Sequence, residues 1–348
     1  MSSRLSVILG CQGTTLSKEE VAFFREVRPW GFILFRRNIE SADQVRALTA
    51  ALRETVDDPK APILIDQEGG RVQRLGPPHW PKYPPGRAYG TLATNDPLVR
   101  REIARLGARL MAHDLLQLGI NVDCVPVLDV PAPDGHQIIG DRAYGDTVEM
   151  VATLGRAAAE GLIAGGVLPV IKHIPGHGRA LADSHENLPV VDASLADLDG
   201  RDFEPFRMLS DMPMAMSAHV VFTAIDRKRP ATTSKKAIKD IVRDAIGFDG
   251  LLMTDDLSMK ALKGDFTKRA KGALAAGCDM VLHCNGDMAE MKAVVAGCRK
   301  LKGDAKRRAD AALARLARTP EPFDAAEARV RFDAAFDGRF AAAGGAVV

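Results

Sequence analysis

Short apolar runs alternate with longer segments of helical period along nearly the whole chain. The runs lie at Leu5–Cys11, Gly31–Phe35, Ile63–Asp66, Val122–Leu128, Leu168–His173, Met214–Val221, Leu251–Asp255 and Met280–Cys284. They are rich in Val, Ile, Leu and Met without polar alternation, the pattern of parallel strands buried on both faces. Between them, helical periodicity predicts helices at Lys18–Val27, Ala42–Glu54, Pro97–Leu118, Val148–Ala164, Leu195–Met208, Lys235–Ala245, Met259–Ala276 and Met288–Lys300. Ser41, Asp96 and Ser234 stand where N-caps are expected. A strand and a helix repeated about eight times predict a closed (β/α)8 TIM barrel, α/β in class, with a doubly wound open sheet as the alternative.

At 348 residues the chain fits one such barrel with modest insertions, and no linker divides it. The expected organisation is a catalytic domain over residues 1–320 and a C-terminal tail over 321–348, whose Phe340–Val348 stretch is of low complexity. The segment after about Lys302 reads as a charged helix and tail.

Composition narrows the functional classes. Aromatics make up 5% of the residues, too few for a broad stacking surface against polysaccharide or single-stranded nucleic acid. A net charge of +2 gives no electrostatic footprint for nucleic acid or an anionic membrane. Basic clusters such as Lys306-Arg307-Arg308 fall in Ala-rich helical sequence and read as solvated faces. The five cysteines, Cys11, Cys124, Cys278, Cys284 and Cys298, form no C-x-x-C pair. No run reaches the ~18 apolar residues of a membrane span, and the first residues turn polar too soon for a secretory signal. The expectation is a cytoplasmic protein with no nucleic-acid or membrane partner; a monomer is compatible with the sequence, which does not fix the oligomeric state.

In a TIM barrel, polar residues at the C-terminal ends of strands face the active site. That rule selects Asp66 at the end of the third run, Lys172 and His173 at the end of the fifth, His219 in the sixth, and Asp255 with Asp256 at the end of the seventh. Alternation puts Leu251, Met253 and Asp255 on one face of the seventh strand and Asp256 on the other. Asp255 is therefore the reactive carboxylate, and Asp256 a helix cap or loop anchor. His173 and His177 stand four apart, but Pro175, Gly176 and Gly178 forbid a regular helix between them. A zinc site from His173, His177 and His185 on a loop stays open as an alternative. Otherwise the glycines describe a hinged loop ending in Asp183-Ser184-His185, where an Asp two residues from a His can fix its tautomer and make it a proton shuttle near neutral pH.

K-H-I-P-G-H-G at Lys172–Gly178, D-S-H at Asp183–His185 and T-D-D-L-S-M at Thr254–Met259 together resemble the signature set of glycoside hydrolase family 3. They resemble in particular its single-domain bacterial β-N-acetylhexosaminidases, which recycle peptidoglycan fragments. G-F-I-L-F-R-R-N-I-E, I-D-Q-E-G-G-R-V-Q-R-L, I-G-D-R-A-Y-G and M-S-A-H-V-V-F add matches in the family's order, from Leu5 to about Val295. The chain departs from the pattern at Ile174 and Cys124, both apolar strand positions.

The resemblance implies a retaining β-N-acetylhexosaminidase with Asp255 as nucleophile, His185 as general acid/base and Asp183 as its partner. It further implies that Asp66, Arg74, Arg142, Lys172 and His173 bind an N-acetylglucosamine ring from a muropeptide or chitooligosaccharide. For Arg74 and Arg142 the alternative is an ion pair bracing loops. No metal or organic cofactor is expected. A family 3 β-glucosidase, a glycoside phosphorylase, a Schiff-base aldolase on Lys172 and a non-catalytic carbohydrate-binding barrel are the competing readings.

Overall fold

The computed structural model describes residues 4–133, 135–184 and 186–340. Among them eight parallel strands close a barrel: β1 (Leu5–Gly10), β2 (Pro29–Leu34), β3 (Ile63–Ile65), β4 (Val122–Asp123), β5 (Leu168–Ile174), β6 (Met214–Ser217), β7 (Leu251–Asp256) and β8 (Met280–His283). β1 pairs with both β2 and β8, and this closure excludes the open sheet. The principal helices are α1 (Lys18–Val27), α2 (Ala42–Thr55), α3 (Pro97–Leu116), α4 (Val148–Ala164), α5 (Phe266–Ala276), α6 (Met288–Val295), α7 (Gly303–Ala314) and α8 (Ala325–Ala335).

The apolar runs lack alternation because both faces of each strand are covered. Ile8, Ile33, Val170, Met216, Leu251, Met253 and Leu282 belong to one buried cluster inside the barrel. Their neighbours Val7, Phe32, Ile171, Ala215, Leu252 and Val281 belong to a second, packed beneath the helices. Leu301, Ala309 and Ala312 join the inner cluster, so α7 and the residues before it close the mouth opposite the functional rim.

Side-chain oxygens satisfy the first free N–H groups of the helices. Ser17 and Glu20 form a capping box on α1, Ser41 caps α2, and Asp96 caps α3 ahead of Pro97. The Ser234 hydroxyl accepts from Ala237 N–H at 3.3 Å, opening the helical segment Ala237–Ala245.

Several boundaries differ from the sequence pattern. The fourth run forms a ladder only at Val122–Asp123, with a single bridge at Val127, because Pro126 has no N–H to donate. The sixth strand stops at Ser217, so His219 lies beyond it and not within it. The helix expected from Met259 begins at Phe266, capped by Asp265, after Gly264 adopts a φ of +88°. The segment expected as a C-terminal tail contains α8; its Phe332 and the following Phe336 are buried and meet the rings of Tyr83 and Tyr89. A Cβ at Gly107 of α3 would come within 2.7 Å of the Phe332 ring, so glycine there lets α8 dock closely.

Candidate active site

The C-terminal ends of the strands surround a cavity of about 290 Å³. Asp66, Arg74, Arg142, Lys172, His173 and Asp255 all line it. The barrel thus brings together six of the eight site residues that the family resemblance implies. Asp183 is described, and its carbonyl accepts from Glu186 and Asn187 N–H. His185 lies outside the described residues.

Lys172 and His173 are consecutive, yet both reach the cavity. The pairing of β5 with β6 shifts register between Lys172 and Ile174; such an irregularity re-aims a side chain that strict alternation would send to the opposite face. Lys172 Nζ is buried, 2.9 Å from Asp66 Oδ1 and 2.7 Å from Glu68 Oε1. Burial alone would lower its pKa, but the two carboxylates outweigh burial and raise it. Asp66 also accepts from Arg74 Nη2 at 3.0 Å. Burial would raise its pKa, but Lys172 and Arg74 hold it below the usual carboxylate range. Arg142 meets Glu68 in a two-pronged pair, with Nε at 2.8 Å and Nη2 at 2.7 Å. Against burial, Arg142 and Lys172 bring Glu68 down to about 2. Five charges of alternating sign therefore form one desolvated network, in which each ion is countered by its neighbours.

Glu68 did not stand out from the sequence. It sits in a small hairpin, Gln67–Gly69 against Val72–Gln73, that folds back over the end of β3. The signal was the adjacent glycines: Gly69 and Gly70 have φ of +90° and +59°, and a Cβ on Gly69 would strike the Pro84 carbonyl at 2.2 Å.

Asp129 is the second residue missed. Its Oδ2 lies 2.7 Å from His173 Nδ1, and its Oδ1 accepts backbone N–H bonds from His173 at 3.2 Å and His177 at 2.7 Å. Burial would raise the Asp129 pKa, but His173 and these bonds lower it. A carboxylate acceptor fixes the proton on Nδ1 and leaves Nε2 as the other polar atom of the ring. His177 Nε2 lies 3.2 Å from the Ser184 hydroxyl. Burial and the neighbouring His173 push its pKa down to about 4, so this ring is neutral under ordinary conditions. Among the described residues, no group of three or more His, Cys, Asp or Glu is arranged to hold a metal ion.

On β7, Leu251 and Met253 point into the barrel, and Asp255 follows them to the cavity. Asp255 Oδ1 accepts the Asp256 N–H at 2.8 Å. Asp256 binds Ser258 N–H at 3.0 Å and Cys284 N–H at 3.2 Å. It anchors the loop, yet it also lines the cavity beside Asp255: the register shift between Met253 and Asp256 breaks the strict alternation that would send it to the opposite face.

Residues 11–319 match the glycosyl hydrolase family 3 N-terminal domain. The chain belongs to glycosyl hydrolase family 3. Within this family it is a glycosidase similar to the β-hexosaminidases. It is 38% identical to the β-hexosaminidase of Bordetella pertussis over 82% of this chain and 81% of that one. The crystal structure of native NagZ from Neisseria gonorrhoeae superposes with a TM-score of 0.83 at 30% identity, covering 99% of both chains. The same protein in complex with N-trifluoroacetyl-D-glucosamine gives 0.82, at 31% identity and 96% coverage of both. A family 3 β-N-acetylglucosaminidase from Paenibacillus sp. str. FPU-7 gives 0.78 at 31% identity. There 99% of this chain spans 63% of the other.

Proposed function

We propose that this family 3 enzyme removes terminal, non-reducing N-acetylglucosamine from peptidoglycan fragments, with retention of configuration. The observation that carries the reading is the position of Asp255, which shares a small cavity with the buried Asp66–Lys172–Glu68–Arg142 network. The cavity suits one sugar ring. Charge-assisted bonds from Asp66, Arg74, Arg142, Lys172 and His173 match a polyhydroxyl, amide-bearing ring. The neighbouring complex with an N-acylated glucosamine supports this choice of ring.

Asp255 attacks the anomeric carbon and forms a glycosyl ester, while His185, paired with Asp183, gives its proton to the departing oxygen. In the second half, His185 takes a proton from water, and the water's oxygen displaces Asp255. The family match over residues 11–319 supports one catalytic domain up to about residue 320. Among the described residues no helix is long and apolar enough to cross a membrane. With Cys11, Cys124, Cys278 and Cys284 free and buried, a reducing cytoplasm is the compartment we assign.

The test is chemical rescue. Asp255→Ala should be inactive on an activated aryl N-acetyl-β-glucosaminide, and added azide should restore turnover by giving the α-glycosyl azide. A β-azide product, or activity without azide, contradicts the nucleophile assignment.

A further inference from the structure

The ladder that carries Asp255 ends early on one side. β6 and β7 pair from Leu251↔Met214 to Thr254↔Ser217 and no further. On the other side, β8 continues to hold the strand end: Asp256 is in register with Leu282, and Leu257 N–H donates to the Leu282 carbonyl at 2.9 Å. Where β6 has stopped, a side chain takes over. His219 is fully buried, and its Nε2 lies 3.1 Å from the Asp256 carbonyl oxygen. Its Nδ1 lies 2.7 Å from the Thr232 hydroxyl, which stands 2.8 Å from the Ser217 hydroxyl and 3.0 Å from the Ala218 carbonyl.

Counting protons assigns the ring. A carbonyl only accepts, so Nε2 must carry hydrogen. If the Thr232 proton goes to its nearer neighbour, Nδ1, and Ser217 donates to Thr232, both nitrogens are satisfied in a neutral imidazole. Sending that proton to Ala218, 3.0 Å away, would leave Nδ1 facing an oxygen with no hydrogen between them, unless the ring became a buried imidazolium. Burial lowers the proton affinity of His219, against an opposing pull from Asp255, Asp256 and the Asp256 carbonyl, which favours the neutral ring.

We propose that His219 is a positioning residue for the nucleophile: its Nε2–H replaces the missing ladder bond at Asp256 and so sets the direction of the Asp255 carboxylate. The inference rests on Asp255 being the nucleophile. His219 does not line the cavity and touches no substrate in this account. Thr232 holds the ring in the tautomer that can donate, without a cation beneath the attacking oxygen.

The test compares His219→Leu, His219→Gln and Thr232→Val in the full-length enzyme, using an activated and an unactivated aryl N-acetyl-β-glucosaminide. Thermal melts check folding, and calorimetry reads affinity for free N-acetylglucosamine. A misdirected nucleophile costs about 100-fold, so His219→Leu should lower kcat by that factor on both substrates while sugar affinity changes little. His219→Gln, whose amide nitrogen can reach the same carbonyl, should recover most of the loss. Thr232→Val should lose about tenfold, the worth of one ordinary hydrogen bond, and carries the test if His219→Leu does not fold. Values of kcat within twofold of wild type in the folded variants would overturn the proposal. So would equal losses of kcat and sugar affinity with no recovery in the Gln variant. Asp255→Ala, measured alongside, separates the two claims. If it stays active, the nucleophile reading has failed; if it is dead while His219→Leu and Thr232→Val are not, only the positioning role has.

Discussion

Asp129 holds His173 at two points, by its Oδ2 against ring Nδ1 at 2.7 Å and by its Oδ1 against the backbone N–H at 3.2 Å. The same Oδ1 takes the His177 N–H at 2.7 Å, so one carboxylate fixes both a ring that lines the cavity and the first turn of the loop after β5. Asp129→Asn keeps an acceptor for the backbone but removes the charge. Hydrogen bonds to charged groups are worth about 1.5–3 kcal/mol, so kcat/KM should fall about 10- to 100-fold while the protein stays folded. Asp129→Leu should also unfold at lower temperature, because two buried N–H groups lose their acceptor. Steady-state kinetics and thermal melts check both outcomes.

The acidic network makes stability pH-dependent. Glu68 has its folded pKa depressed to about 2 from an ordinary 4.5, so its contribution is fully present above about pH 4.5. It is lost as pH falls toward 2. That shift corresponds to roughly 3 kcal/mol, and Asp66, depressed in the same direction, adds to the slope. Urea midpoints measured between pH 2 and 6 should drop steeply on acidification. Glu68→Gln should flatten that drop and cost stability at neutral pH, since it strands the buried Arg142 and Lys172 charges.

The acid is tested by leaving group. His185→Ala should slow substrates with poor leaving groups far more than activated aryl glycosides, whose departing oxygen needs no proton. Equal losses on both would count against His185.

Much of this architecture was legible before folding. The apolar runs located every barrel strand, and the strand-end rule found Asp66, Lys172, His173 and Asp255, because burial on both faces and the polarity of one rim are written locally. The strand end at Ser217 was not, since apolar residues resume past Ser217 and His219 to Val221 while the ladder ends where pairing does. Glu68 and Asp129 escaped because they act through partners 74 and 44 residues away. No periodicity links such positions. The docking of α8 was equally hidden: the segment is rich in Ala and charge, and its contact rests on Ala328, Phe332, Phe336 and the Arg329–Asp114 ion pair, whose partners lie far off in the chain.

That contact predicts a separable effect. Phe332→Ala removes a buried ring beside Tyr83 and Tyr89 and should cost about 3–5 kcal/mol of stability. It should leave kcat near wild type at temperatures where the protein is folded, because α8 packs on α3 and contributes nothing to the cavity. Denaturant titration with parallel assays checks the separation.

The proposed mechanism requires Asp255 to become covalently bound to the sugar. The most direct measurement traps the enzyme with a slow-turnover N-acetylglucosaminyl reagent bearing an activated leaving group, followed by mass spectrometry of the digested protein. One added sugar is expected on the peptide that contains Asp255, with loss of activity in proportion to labelling. Inactivation with the label on any other residue, including the adjacent Asp256, would contradict it.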